Sequence, residues 1–257
     1  MAVIHFLGTG AADYSPLLGT DFKDGFDKNA RRSTAVLLDN KYLFDCGEHA
    51  LDSIRIANVN KEEIKFIFIS HLHGDHYNPD RIAKIAANQS EPVKLYVRED
   101  AELPYIPNVK IMRMKNFVRY AVDQDMAVTG LPANHDERVK PRHFLIEYKG
   151  KKMFYGLDGG WMLNGTYNYL RNSDLDLMIL DATCGDYEGD FRMAEHNSIP
   201  MIRLMLPSLK TVGIVGDHTR IILSHIAPSL NKPHDETANI AGKFGAEVAY
   251  DGFITEF

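Results

Sequence analysis

His71, His73, Asp75 and His76 fall within six positions, in the segment Ser70-His71-Leu72-His73-Gly74-Asp75-His76. Neutral imidazole and carboxylate are ligand types that suit Zn, Mn or Fe(II). A helix would scatter positions i, i+2, i+4 and i+5 around its circumference. A loop at a strand end can turn all four inward, and Gly74 is expected to give the backbone that freedom. Two closely spaced cations sharing these side chains would explain why so many are concentrated here. The chemistry such a pair supports is hydrolysis, because metal binding can lower a water's pKa from ~16 to about 7.

Other residues of the same types stand at strand ends further along. His135 follows the run Val128 to Leu131, and Asp158 breaks Phe154-Tyr155-Gly156-Leu157 into two glycines. His225 ends Ile221-Ile222-Leu223-Ser224, and Asp45 closes Tyr42-Leu43-Phe44. Any one of these alone reads as a turn residue. Four apolar runs ending in Asp or His, beside the central motif, are what one rim of a layered sheet structure would carry.

The elements that must position them are mostly short β-rich runs: 3–7, 34–38, 42–45, 65–70, 93–97, 127–131, 143–148, 152–155, 175–181, 219–224 and 247–250. They are rich in Val, Ile, Phe and Tyr and bounded by Gly, Asn, Asp or Pro. Helices are expected at 50–57, 79–87, 199–209 and 234–244. Asn78-Pro79 places a good capping residue before proline at the first helical position. Continuous apolar runs such as FIFI at 66–69 and LMIL at 177–180 imply strands covered on both faces. Sheets packed together with helices outside are the simplest arrangement.

The chain has 257 residues, 45% hydrophobic and 25% charged, and is expected to form one hydrolase domain over 1–257. Net charge is −6, from 29 basic and 35 acidic residues, so no broad positive field exists to drive nucleic-acid binding. The basic pairs Arg31-Arg32 and Arg113/Lys115 are expected to be solvated surface. Cys46 and Cys184 suggest no disulfide framework; by strand alternation Cys46 should point away from Asp45 into packing. The first residues, MAVIHFLGTG, lack a basic n-region, and no apolar run approaches the ~18 residues of a membrane span. A cytoplasmic protein without membrane contact is expected.

With these segments in place, the chain resembles the metallo-β-lactamase superfamily across essentially its whole length. The His-x-His-x-Asp-His motif at 71–76 is the most specific match, and Leu7-Gly8-Thr9-Gly10-Ala11-Ala12 is also typical. The resemblance implies a four-layer αβ/βα sandwich and two divalent metal ions, Zn or Mn first and Fe third. It implies that His71, His73 and His135 hold one metal and that Asp75, His76 and His225 hold the other. Asp158 would bridge the two, with a bridging hydroxide as nucleophile. Asp45 matches a position that supports the loop by hydrogen bonding.

Within that superfamily the chain is similar to the phosphodiesterase branch. That branch contains tRNA 3′-processing ribonuclease Z and the PhnP-type cyclic phosphate phosphodiesterase. LPANHD at 131–136, LMILDAT at 177–183, Glu195-His196-Asn197 and ILSHI at 222–226 carry this match. It makes His196 a candidate catalytic residue beside Asp75, donating a proton to a leaving alkoxide or binding a phosphoryl oxygen. The bland alternative is that His196 caps the helix starting near Ile199. The segment 13–32 lacks the cysteine cluster of the phosphonate-pathway enzyme, and no long tRNA-gripping arm is evident. Together with the acidic balance this implies a small anionic substrate, a phosphate ester that can be cyclic, rather than nucleic acid. A homodimer is compatible with the sequence. Competing readings are a lactone or thioester hydrolase of the same fold, or a non-catalytic metal-dependent binding protein. Arg31, Arg32, Tyr14, Trp161 and Lys232 are candidates for the pocket lining. His5, His49, His143, His218 and His234 are expected to be structural or exposed.

Overall fold

Two seven-stranded sheets face each other across a layer of aromatic rings. They are seen in a computed structural model that describes residues 2–13 and 25–257. The first sheet contains β1 (Val3–Gly8), β2 (Ala35–Leu38), β3 (Tyr42–Phe44), β4 (Phe66–Phe68), β5 (Val93–Arg98), β6 (Val109–Met114) and β14 (Phe253–Glu256). The second contains β7 (Arg119–Ala121), β8 (Met126–Pro132), β9 (Arg142–Tyr148), β10 (Lys151–Gly156), β11 (Leu175–Asp181), β12 (Val215–Ser224) and β13 (Ala246–Val248). The strand orders are β14-β1-β2-β3-β4-β5-β6 and β13-β12-β11-β10-β9-β8-β7.

Both sheets follow one rule. Read from β14 in the first and from β7 in the second, three antiparallel pairings are followed by three parallel ones. The sequence shows no repeat, so this likeness lies in backbone topology alone.

Alternation along each strand builds three apolar layers. Phe66 and Phe68 face the inter-sheet core while Ile67 faces outward, and Leu177 and Ile179 alternate with Met178 and Leu180 in the same way. On the first sheet's outer face lie α1 (Ala50–Ile56) and α2 (Pro79–Ala86), through Ile54, Ile82 and Ile85. On the second lie α3 (Asn164–Leu170), α4 (Ile199–Thr211) and α5 (His234–Gly242), through Leu170, Ile202 and Ala241. The result is the expected αβ/βα sandwich. Asn78 caps α2, accepting from the Asp80 and Arg81 N–H groups with Pro79 behind it.

The central layer is held by stacked rings. Phe68 is fully buried, with its centroid 4.8 Å from that of Phe44 and 4.7 Å from that of Tyr96. Phe68→Ala should cost about 3–5 kcal/mol of unfolding free energy, measured by denaturant titration. A loss under about 1 kcal/mol would mean that the layer collapses around the gap.

The tandem arginines correct an expectation: both are buried, not solvated. Arg31 donates from Nη1 to Thr9 Oγ1 and to the Ala249 carbonyl, both at 2.7 Å, and its Nη2 lies 3.1 Å from His234 Nδ1. Asp251 accepts the Thr9 and Arg32 backbone N–H groups and lies 3.8 Å from Arg32 Nη1. Each partner comes from a distant part of the chain, which is why a local reading placed the pair in water.

His234 is buried here, and burial, reinforced by the Arg31 cation, pushes its imidazole down to about 4. The folded state therefore holds fewer protons than the unfolded chain between pH 4 and the ordinary histidine value near 6.5. This contribution to stability is complete above pH 6.5 and is lost as pH falls toward 4. The denaturation midpoint of the His234→Gln variant should fall less between pH 7 and pH 5 than that of the native chain. An unchanged pH slope would remove His234 from the account.

Candidate metal centre

All the residues singled out at strand ends emerge on one rim. The 71–76 loop leaves β4 and is a turn, closed by His76 N–H and Tyr77 N–H donating to the His73 carbonyl. Gly74 does not do what was expected of it. It takes no left-handed conformation, and its missing Cβ would point into open space. The close approach occurs at Gly47, where a Cβ would come within 1.9 Å of the Asp75 carbonyl oxygen. Glycine there lets the segment after β3 lie against the loop.

Three of the residues turn inward through backbone strain. Asp45 after β3, Asp158 after β10 and His225 after β12 have φ of 62°, 50° and 55°. That left-handed region is uncommon outside glycine, and its cost of order 1–3 kcal/mol persists only where surroundings enforce it.

The structure brings the seven residues together in two adjoining groups. In the first, His71 Nε2 lies 3.0 Å and His135 Nε2 lies 3.2 Å from His73 Nδ1. In the second, His76 Nε2 lies 3.1 Å from His225 Nε2, and Asp75 Oδ2 lies 3.3 and 3.6 Å from those two nitrogens. Asp158 Oδ2 sits between the groups, 2.6 Å from His76 Nε2, 3.1 Å from His225 Nε2 and 3.3 Å from His71 Nε2.

An outer ring of hydrogen bonds sets the tautomers. Asp45 accepts the Ser70 N–H (2.8 Å), the Ser70 hydroxyl (3.0 Å) and the Tyr155 hydroxyl (2.8 Å). Its Oδ2 also lies 2.8 Å from His76 Nδ1. Ser70 Oγ, having donated to Asp45, can accept the Nδ1–H of His71 at 3.0 Å. Thr183 Oγ1 donates to the His225 carbonyl and accepts from His225 Nδ1 at 2.7 Å. In each case the outer nitrogen is held, so that the ring can offer Nε2 to a cation in the interior.

The electrostatics fit a cation in the centre. Burial disfavours charge on every group, yet His76, His225 and His71 hold Asp158 well below the usual carboxylate range. In return Asp158 and Asp75 raise His225 to about 10, against its burial. Burial and the neighbouring His76 push His71 the other way, well below its ordinary value. Two ionised carboxylates buried among imidazoles demand positive charge, and imidazole with carboxylate is a donor set for divalent Zn, Mn or Fe.

His73, Asp75, His135, Asp158 and His225 also border a cavity of about 240 Å³, which His196 lines beside them. His196 is not a helix cap; Ser198 caps α4, accepting from Met201 N–H. Instead its Nδ1 lies 2.9 Å from Asp181 Oδ2 and 3.2 Å from Asp158 Oδ1, and its ring stacks on His225 at 5.6 Å. Burial lowers the basicity of His196, but Asp181 and Asp158 outweigh it and raise its pKa. Asp181 was missed, although it ends the strand LMILD in the pattern that marked Asp45 and Asp158. Arg192 and Glu195 line the cavity, as do Ala11 to Asp13, whereas Arg31, Arg32, Trp161 and Lys232 do not. Tyr14 lies outside the described residues. Cys46 and Cys184 are buried in packing, and burial pushes the Cys184 thiol up to about 12.

The chain belongs to the β-lactamase superfamily: the family model described as a beta-lactamase superfamily domain matches residues 40–226. Its similarities run to the ribonuclease Z and PhnP branch. Ribonuclease Z of Methanococcus maripaludis strain C7 is 31% identical over 141 residues, 53% of this chain and 40% of that protein. The match therefore spans about two fifths of that relative's length. A solved diphosphatase of the PhnP family superposes with a TM-score of 0.76 at 20% identity, covering 100% of this chain and 98% of that one. The short form of human tRNase Z gives 0.67 at 21% identity over 99% and 98%. At such identities these two structures show a shared fold. No helix among the described residues is long and apolar enough to cross a membrane.

Proposed function

We propose that this chain is a di-metal phosphodiesterase acting on a small phosphate ester, cyclic esters included. His71, His73 and His135 would hold one divalent ion, Asp75, His76 and His225 the other, and Asp158 both. Zn and Mn are the leading candidates and Fe the third. When bound, such ions supply Lewis acidity toward a phosphoryl oxygen and acidify water toward neutrality.

The observation that carries the phosphoryl reading is His196, anchored through Nδ1 by Asp181 on the wall of the same cavity. With Nδ1–H donated to that carboxylate, the proton on Nε2 is the one available for transfer. As the P–O bond to the departing group breaks, His196 gives that proton to the alkoxide. General acid help of this kind contributes ~100- to 10,000-fold. Asp75, buried against His76 and His225, would take a proton from attacking water while serving as a ligand.

Cavity size supports a small substrate. About 240 Å³ falls below the ~300–1,000 Å³ of pockets that take drug-sized ligands. The net charge of −6 points the same way.

The test is a metal-loaded sample assayed on bis-aryl phosphate, cyclic nucleotides, cyclic ribose phosphates, a short RNA, a lactone and a thioester. Turnover of the small phosphate esters is expected. Lactone or thioester hydrolysis with no phosphate-ester turnover would overturn the proposal, and turnover of RNA alone would overturn the small-substrate part.

A further inference from the structure

Three histidines whose Nε2 faces the centre have their outer nitrogen held: His71 by Ser70, His76 by Asp45 and His225 by Thr183. His135 differs. Its Nε2 points inward, 3.2 Å from His73 Nδ1, so a neutral ring that offers Nε2 to a cation carries its proton on Nδ1. That atom is buried, and among the described residues no acceptor lies within hydrogen-bonding distance of it. Buried N–H groups are seldom left in that state.

The carboxylate facing it belongs to Glu195, whose Oε2 lies 3.9 Å from His135 Nδ1. The backbone there is pinned, because the N–H groups of Glu195 and His196 both donate to the Arg192 carbonyl at 2.9 and 2.8 Å. The Glu195 side chain is 53% exposed and has room to swing. Reaching hydrogen-bonding distance needs a shift of only about 1 Å. Nearby Arg138 has its guanidinium taken up by Asp136, through Nε at 2.9 Å and Nη2 at 2.6 Å.

We propose that Glu195 is the positioning carboxylate of His135. By accepting the Nδ1–H it fixes the tautomer, holds the ring plane and strengthens Nε2 as a donor to a cation. The proposal rests on the reading that His135, with His71 and His73, holds one of two ions. Glu195 also borders the cavity and directly precedes His196.

Zn(II) binding to metal-free protein, measured by competition with a chromophoric chelator, tests this in four variants. Glu195→Ala should weaken one of the two equivalents ~10- to 100-fold and leave the other unchanged. Glu195→Gln keeps an acceptor oxygen and should restore most of that affinity. In a His135→Ala background, adding Glu195→Ala should change nothing further. Equal weakening of both equivalents, an undiminished loss in the His135→Ala background, or no change in Glu195→Ala would overturn the proposal. If His135→Ala itself leaves both equivalents at native affinity, the reading of the centre fails, and Glu195 loses its role with it.

Discussion

Replacing Asp158 with alanine is expected to leave the chain folded, with less than one equivalent of divalent metal and almost no hydrolytic activity. The carboxylate is buried at 3% exposure and touches the inner nitrogens of three histidines drawn from both groups. Losing it leaves His76, His225 and His71 crowded with only Asp75 to balance a cation. The activity loss should be on the order of 1,000-fold or more, because acidified water and Lewis acidity disappear together. Elemental analysis and a thermal melt on one preparation check this. A folded Asp158→Ala variant that keeps two equivalents of metal would sink the idea that Asp158 is shared.

His196→Ala should separate chemistry from metal binding. Its polar contacts are Asp181, Asp158 and Thr183, its ring packs against His225 and His135, and it belongs to neither inner group. Metal content should therefore hold while kcat falls ~100- to 10,000-fold on esters with alkoxide leaving groups. An aryl ester, whose phenolate leaves without a proton, should lose much less. That dependence on the leaving group is what marks a general acid. A loss of equal size on alkyl and aryl esters would instead assign His196 to binding a phosphoryl oxygen.

The inner site was legible because its signal is local and chemical. Four ligand types in six residues, and apolar runs ending in Asp45, Asp158 and His225, can be seen without knowing which strands pair. Buried strands such as 66–68 and 175–181 were legible for a related reason, since both faces are apolar. The partially exposed strands were not. β6 mixes lysine and arginine into its run, β14 is a half-exposed edge against β1, and α3 is rich in residues that resist helix, with Gly165 and two asparagines. They are held by long-range pairing and packing.

The misses at the site share that cause. Asp181 ends an apolar run as Asp45 and Asp158 do, but its role comes from His196, on a loop with no period to place it. Arg31 and Arg32 look like surface until Thr9, His234 and Asp251 are folded onto them. Gly47 matters, and Gly74 does not, because of a backbone approach between two loops that no local pattern records.

The central claim is that a pair of divalent ions, held by residues on the loops that follow β4, β8, β10 and β12, drives phosphodiester hydrolysis. Its most direct test is a titration of metal-free protein with Zn(II) or Mn(II), following bis-aryl phosphate turnover against metal bound per chain. The account predicts no turnover without metal and a rise that levels off at two equivalents. Full turnover by the metal-free chain, or saturation with no turnover at any loading, would contradict it.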